Sequence, residues 1–109
     1  MTGPDRIRVA AFTYRLEYLP GIPNDGETYG HWNAAQCCIQ LRHEVSPQRV
    51  ADAFLHEVTH AGLEAMGYGC EVADGEAAAT FNGLFWPMFW RDNPEALEWW
   101  LGLVRGEVK

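Results

Sequence analysis

The segment His56-Glu57-Val58-Thr59-His60 carries three side chains that can do hydrolytic chemistry together. Histidines four apart project from one face of a helix, so two imidazoles can converge on one metal ion. Glu57 sits one position on, rotated about 100° around the axis. It need not bind the metal; it can reach a water held there and take its proton. Zinc is the expected ion: it suits imidazole and carboxylate ligands and lowers the pKa of its water.

A catalytic zinc uses three protein ligands and one open position. The candidates for the third are Glu64, Glu71, Asp74, Glu76, His31 and His43. Glu64 continues the four-residue ladder, but its Cα lies about 12 Å along the axis from that of His56. Three side chains in a row on one straight helix do not surround an ion, so the third ligand is expected from another element. Glu76 suits this best, because it falls in the first turn of the following helix. Carboxylates are also favoured there by the helix dipole alone, so Glu71, Asp74 and a histidine stay open as alternatives.

These residues need a helix and a scaffold. Ser46 can cap a helix and Pro47 suits its first position. Apolar residues at Ala51, Phe54, Leu55, Val58, Ala61, Ala65 and Met66 then recur at helical spacing, which predicts a helix over 47–66. Asp74 can cap a second helix with a stripe through Phe81, Phe85 and Phe89, and Pro87 should kink it or end it early. Asn93-Pro94 repeats the cap-and-proline start for a third. Upstream, Arg6 to Tyr18 reads as one strand or two with a bend, followed by a loop over 20–26. Short strands over 27–32 and 35–42 follow, with a turn at Asn33 and Ala34. Strands precede helices, so the expected class is α+β: a small N-terminal twisted sheet packed on the motif-bearing helix, followed by two further helices.

The chain of 109 residues suits a single domain, 1–109, and its 48% hydrophobic content is ample for a core. A formal charge of -7 argues against nucleic acid as a partner. No apolar run is long enough to span a bilayer, and the N-terminus lacks the apolar core of a signal peptide. A soluble, cytoplasmic protein without membrane contact is expected. Cys37, Cys38 and Cys70 are odd in number and lack zinc-ligand spacing, so they read as small buried residues. The adjacent pair is expected to point to opposite faces of a strand. A cysteine hydrolase is disfavoured, since nothing sets a thiol at a helix N-terminus beside a histidine. The five tryptophans include Trp86, Trp90, Trp99 and Trp100 at helical spacing, most simply as core. Alternatively, these Trp/Phe-rich C-terminal helices form a homo-oligomer or partner surface.

Leu55-His56-Glu57-Val58-Thr59-His60-Ala61, then Gly75-Glu76-Ala77, then Arg91-Asp92-Asn93-Pro94-Glu95 resembles small phage-type zinc metallopeptidase-like proteins, similar to the ImmA/IrrE and SprT-like groups and to the minigluzincins. Upstream Thr28-Tyr29-Gly30-His31 and Cys38-Ile39-Gln40-Leu41 fit the same pattern. The resemblance implies a gluzincin site, with His56, His60 and Glu76 as ligands and Glu57 as base. It further implies an edge strand beside the helix that holds an extended peptide by strand addition, for which Ala35 to Arg42 is the expected element. The expected function is hydrolysis of a peptide bond in a peptide or protein substrate. The alternative is a zinc-stabilised, non-catalytic interaction module on the same fold. Tyr29, Tyr68, His31 and His43 are the candidates for stabilising an oxyanion.

Overall fold

Alternating apolar and polar residues build a sheet with one face for the core and one for water. The structure is a computed structural model and describes residues 3–21, 29–69 and 75–107. Strands β1 (Arg6–Val9) and β2 (Phe12–Leu19) pair antiparallel, with Arg6 opposite Arg15 and Val9 opposite Phe12. The stretch from Arg6 to Tyr18 is therefore two strands, and the bend between them is a hairpin turn. Its two-residue loop sets Ala10 at a φ of 52°, since tight hairpin loops need positive φ to match strand twist.

Strands β3 (Gly30–Asn33) and β4 (Cys38–Arg42) complete a mixed sheet in the order β1-β2-β4-β3. The turn between them is longer than expected. Asn33 Oδ1 accepts the Gln36 N–H at 3.1 Å, and Cys37 ends the turn at a φ of 47°. Cys37 is thus a turn residue, and only Cys38 lies on the strand. β4 pairs parallel with β2 and antiparallel with β3, so it is interior, not the edge strand expected of Ala35 to Arg42. The reason is hydrophobic: Cys38, Ile39 and Leu41 are all buried, whereas the half-exposed Gly30-His31-Trp32-Asn33 tolerates the edge.

Helix α1 (Pro47–Ala65) starts where Ser46 Oγ accepts the Arg49 N–H at 3.3 Å. It buries Phe54, Val58 and Ala61 in one core with Ile7, Tyr14, Leu16, Ile39 and Leu41 of the sheet. Helices α2 (Gly75–Asp92) and α3 (Pro94–Val104) extend that core with Phe81, Phe85, Phe89 and Ala96. Four strands and three helices in this order make the α+β class that was expected. Among the described residues, no helix is long and apolar enough to cross a membrane. Asp74, the expected cap of α2, and Cys70 lie outside the described residues.

Pro87 does not end α2, which runs through it to Asp92. A mid-helix proline costs about 3 kcal/mol through its missing N–H and its clash with the carbonyl of residue i−4. That residue is Gly83, whose backbone has the freedom to tilt the carbonyl aside. Burial of Phe85 and Phe89 on either side, at about 1.5–3 kcal/mol each, offsets the cost. Trp86, Trp90, Trp99 and Trp100 are partly buried and pack against the core, with Trp90 and Trp100 centroids 5.5 Å apart.

Asn93 begins α3 as expected but does not cap it with its side chain. Its Oδ1 instead accepts the Arg8 N–H at 2.7 Å, and its Nδ2 donates to the carbonyls of Arg8 and Phe89, both at 2.8 Å. The amide thereby completes the outer edge of β1 and ties the α2–α3 corner to the sheet. Asn93→Ala is expected to cost about 2–4 kcal/mol, because it strands polar backbone groups of which one is buried. That corresponds to a Tm lowered by roughly 10 °C or more in thermal denaturation. Asn93→Asp should be no better, as it aims a carboxylate oxygen at two carbonyls. A simple capping role predicts instead that Asp is tolerated, since Asn and Asp cap about equally well.

Candidate metal centre

Burial of Phe54, Val58 and Ala61 fixes the rotation of α1 about its axis. The neighbouring stripe then falls at the boundary between core and solvent, with His56 exposed, Glu57 buried and His60 half-buried. The two histidines meet at their outer nitrogens, with Nε2 to Nε2 at 3.2 Å. Two nitrogen ligands on a tetrahedral zinc, with bonds of about 2.0–2.1 Å, lie about 3.3–3.4 Å apart. The rings stand edge to face at an interplanar angle of 78°. Spacing and donor type both fit an ion that takes imidazole nitrogen.

Glu57 is only 7% exposed. Burial raises its pKa, and the positive character of His56, His60 and His31 acts in the opposite, smaller sense. A carboxylate shifted towards neutral pH is a stronger base than an exposed one. Its wall is the backbone of β3. A Cβ on Gly30 would stand 2.9 Å from Glu57 Cγ and 3.2 Å from its Oε2, so any larger residue here would displace the Glu57 side chain.

His60 is framed from the same strand. Its ring stacks on Trp32 with centroids 5.6 Å apart and planes 10° apart. The indole Nε1 of Trp32 donates to the Tyr14 hydroxyl at 3.0 Å. His60 Nδ1 is buried and has no hydrogen-bond partner among the described residues.

The other candidates do not complete a three-ligand group with the histidine pair among the described residues. His31 aligns with Gln40 and Asn33 with Cys38 in the β3–β4 register. His31 opens into a cleft of about 240 Å³ that also includes Arg15, Glu17 and Gln40. His43 follows β4 and is exposed, as is Glu64 on α1. Glu76 is exposed in the first turn of α2. Glu71 lies outside the described residues, as Asp74 does. Among the described residues, no three His, Cys, Asp or Glu side chains are gathered to hold an ion. The fold thus brings His56, Glu57 and His60 together and leaves Glu76 apart from them.

Of the oxyanion candidates, Tyr68 packs edge-on against Phe81 at 5.8 Å, and the Tyr29 ring holds the Arg49 guanidinium at 5.3 Å. Cys38 is buried, and burial pushes its thiol up, which keeps it protonated and unreactive. Trp32 and Tyr14 are site residues that the sequence does not disclose, and the place of Gly30 beside Glu57 comes only from the fold. They reach α1 only through strand pairing, and nothing in their local spacing points to it.

No protein-family model, no curated protein and no solved structure matches the chain.

The raised pKa of Glu57 has a consequence for the metal-free protein. Between the unfolded carboxyl value, about 4.3, and the higher folded value, the native state binds more protons than the unfolded one. Stability is therefore lost as pH rises through that window. Metal-free Glu57→Gln should be more stable than wild type at neutral pH, and the difference should vanish under acid. Paired denaturant titrations across pH check this; an equal difference at every pH contradicts it.

Proposed function

We propose that this protein is a zinc-dependent peptide-bond hydrolase with a zincin-like fold, acting on a peptide or protein substrate in the cytoplasm. The observation that supports the reading most is the meeting of His56 and His60 at 3.2 Å beside the buried carboxyl of Glu57. His56 and His60 would hold the ion through Nε2. Glu76 would be the third ligand, as the resemblance to gluzincins implies; that role requires the first turn of α2 to close on the two histidines when the ion binds. When bound, zinc supplies a Lewis acid that polarises the scissile carbonyl and makes water acidic.

The chain's own residues carry the rest. Glu57 takes a proton from the attacking water on a carboxylate oxygen and gives it to the departing amine. Gly30 of β3 lies against the side chain of Glu57, which is 7% exposed. His60 stacks on Trp32 and stands edge to face against His56, which sets its Nε2 3.2 Å from that of His56.

Metal analysis of the purified protein is expected to find one zinc per chain, lost in His56→Ala and His60→Ala. Glu76→Ala should bind it much more weakly; full retention would move the third ligand elsewhere. Glu57→Gln should keep both zinc and fold while cleavage of a peptide library falls by about 10²–10⁴-fold. A Glu57→Gln variant that retains the biological activity of the wild type would favour the non-catalytic interaction module instead.

A further inference from the structure

We propose that Trp32, braced by Tyr14, is the positioning residue for His60 in this metal centre, in place of the hydrogen bond that ordinarily orients a histidine ligand. The inference rests on the zinc reading above and deepens it. A metal-binding imidazole usually donates its second N–H to a carboxylate or carbonyl, which sets both ring plane and tautomer. His60 has no such partner among the described residues, and its Nδ1 is buried.

The consequence follows from the tautomers. Metal binding requires the lone pair on Nε2, so the proton must sit on Nδ1. There it has no acceptor among the described residues to hold the ring against rotation. The flat contact with Trp32, at 5.6 Å and 10°, is the restraint that remains on that face. An imidazole that turns out of this plane loses the stack and also swings Nε2 away from His56.

The indole is itself anchored. Trp32 lies on β3, a four-residue edge strand, and packs partly buried against the core. Its Nε1–H donates at 3.0 Å to the hydroxyl of Tyr14, which is 1% exposed on β2. Rigidity passes from the core of the sheet to Tyr14, then to Trp32, then to the plane of His60. His56 is more exposed, and its contact is with His60 rather than with the indole. The device therefore acts on one ligand of the pair.

The test uses the full chain, with zinc affinity measured by competition with a chromophoric chelator. Visible absorption of the cobalt-substituted protein reports ligand geometry. Trp32→Ala should weaken zinc binding by about 10–100-fold, the usual effect of losing an outer-shell partner, and should alter the cobalt bands. Trp32→Phe keeps a ring in the stack and should recover most of the affinity. Tyr14→Phe keeps the indole but removes its brace, and should fall between the two. Unchanged zinc affinity and cobalt spectrum in folded Trp32→Ala overturn the inference. If Trp32→Ala does not fold, unchanged binding and spectrum in Tyr14→Phe overturn it equally. His60→Ala separates the two levels: loss of zinc there with retention in the Trp32 and Tyr14 variants removes only the positioning role. A wild-type chain that binds no zinc removes both.

Discussion

The rotational setting of α1 is the constraint on which the site depends. Phe54, Val58 and Ala61 are each 0% exposed and share one core with the inner face of the sheet. Turning the helix enough to redirect the histidines would bring this stripe towards water, at about 1.5–3 kcal/mol for each large side chain. Phe54 is locked further by ring contacts to Phe89 at 6.3 Å and to Trp99 at 5.2 Å. With the core stripe fixed, Glu57 must face the edge strand and His60 must lie against Trp32. The burial of Glu57 is then an enforced cost, of the kind that folds tolerate where chemistry needs it.

Two glycines set how closely the other elements approach α1. Gly30 brings β3 against Glu57, as the tight hypothetical Cβ contact shows. At Gly62 an added Cβ would stand 2.6 Å from the Phe85 ring, so this position admits the α2 aromatic ladder into the core. That ladder, Phe81 on Phe85 and Phe85 on Phe89, has centroid spacings of 5.0 and 5.6 Å. It carries α2 through Pro87. One glycine therefore shapes the candidate centre, and the other shapes the wall behind it.

Polar joints hold the periphery. Asn93 closes the edge of β1, Tyr18 donates to the Pro4 carbonyl at 2.6 Å, and Trp100 donates to the Ala51 carbonyl at 3.0 Å. Tyr18 and Trp100 each pack an apolar ring while a polar end finds a backbone partner. This arrangement fastens the outer elements without widening the core, which suits a chain of 109 residues.

Local chemistry in the sequence determined the α+β order, the start of α1 at Ser46-Pro47, and the placing of His56, Glu57 and His60 on one helix. Helical periodicity and capping act over a few residues and are visible at that range. Tertiary structure decided what surrounds those three side chains. It made β3 the edge strand because β4 carries the apolar residues that belong inside. It turned Asn93 from a cap into a sheet partner because β1 had an open edge. It also set Gly30, Trp32 and Tyr14 around the histidine–glutamate group through strand register. Register and packing join residues far apart in the chain, and no local pattern encodes them. The His56–His60 pair was thus legible from its spacing alone, while the walls that hold its rings in place came only from the fold.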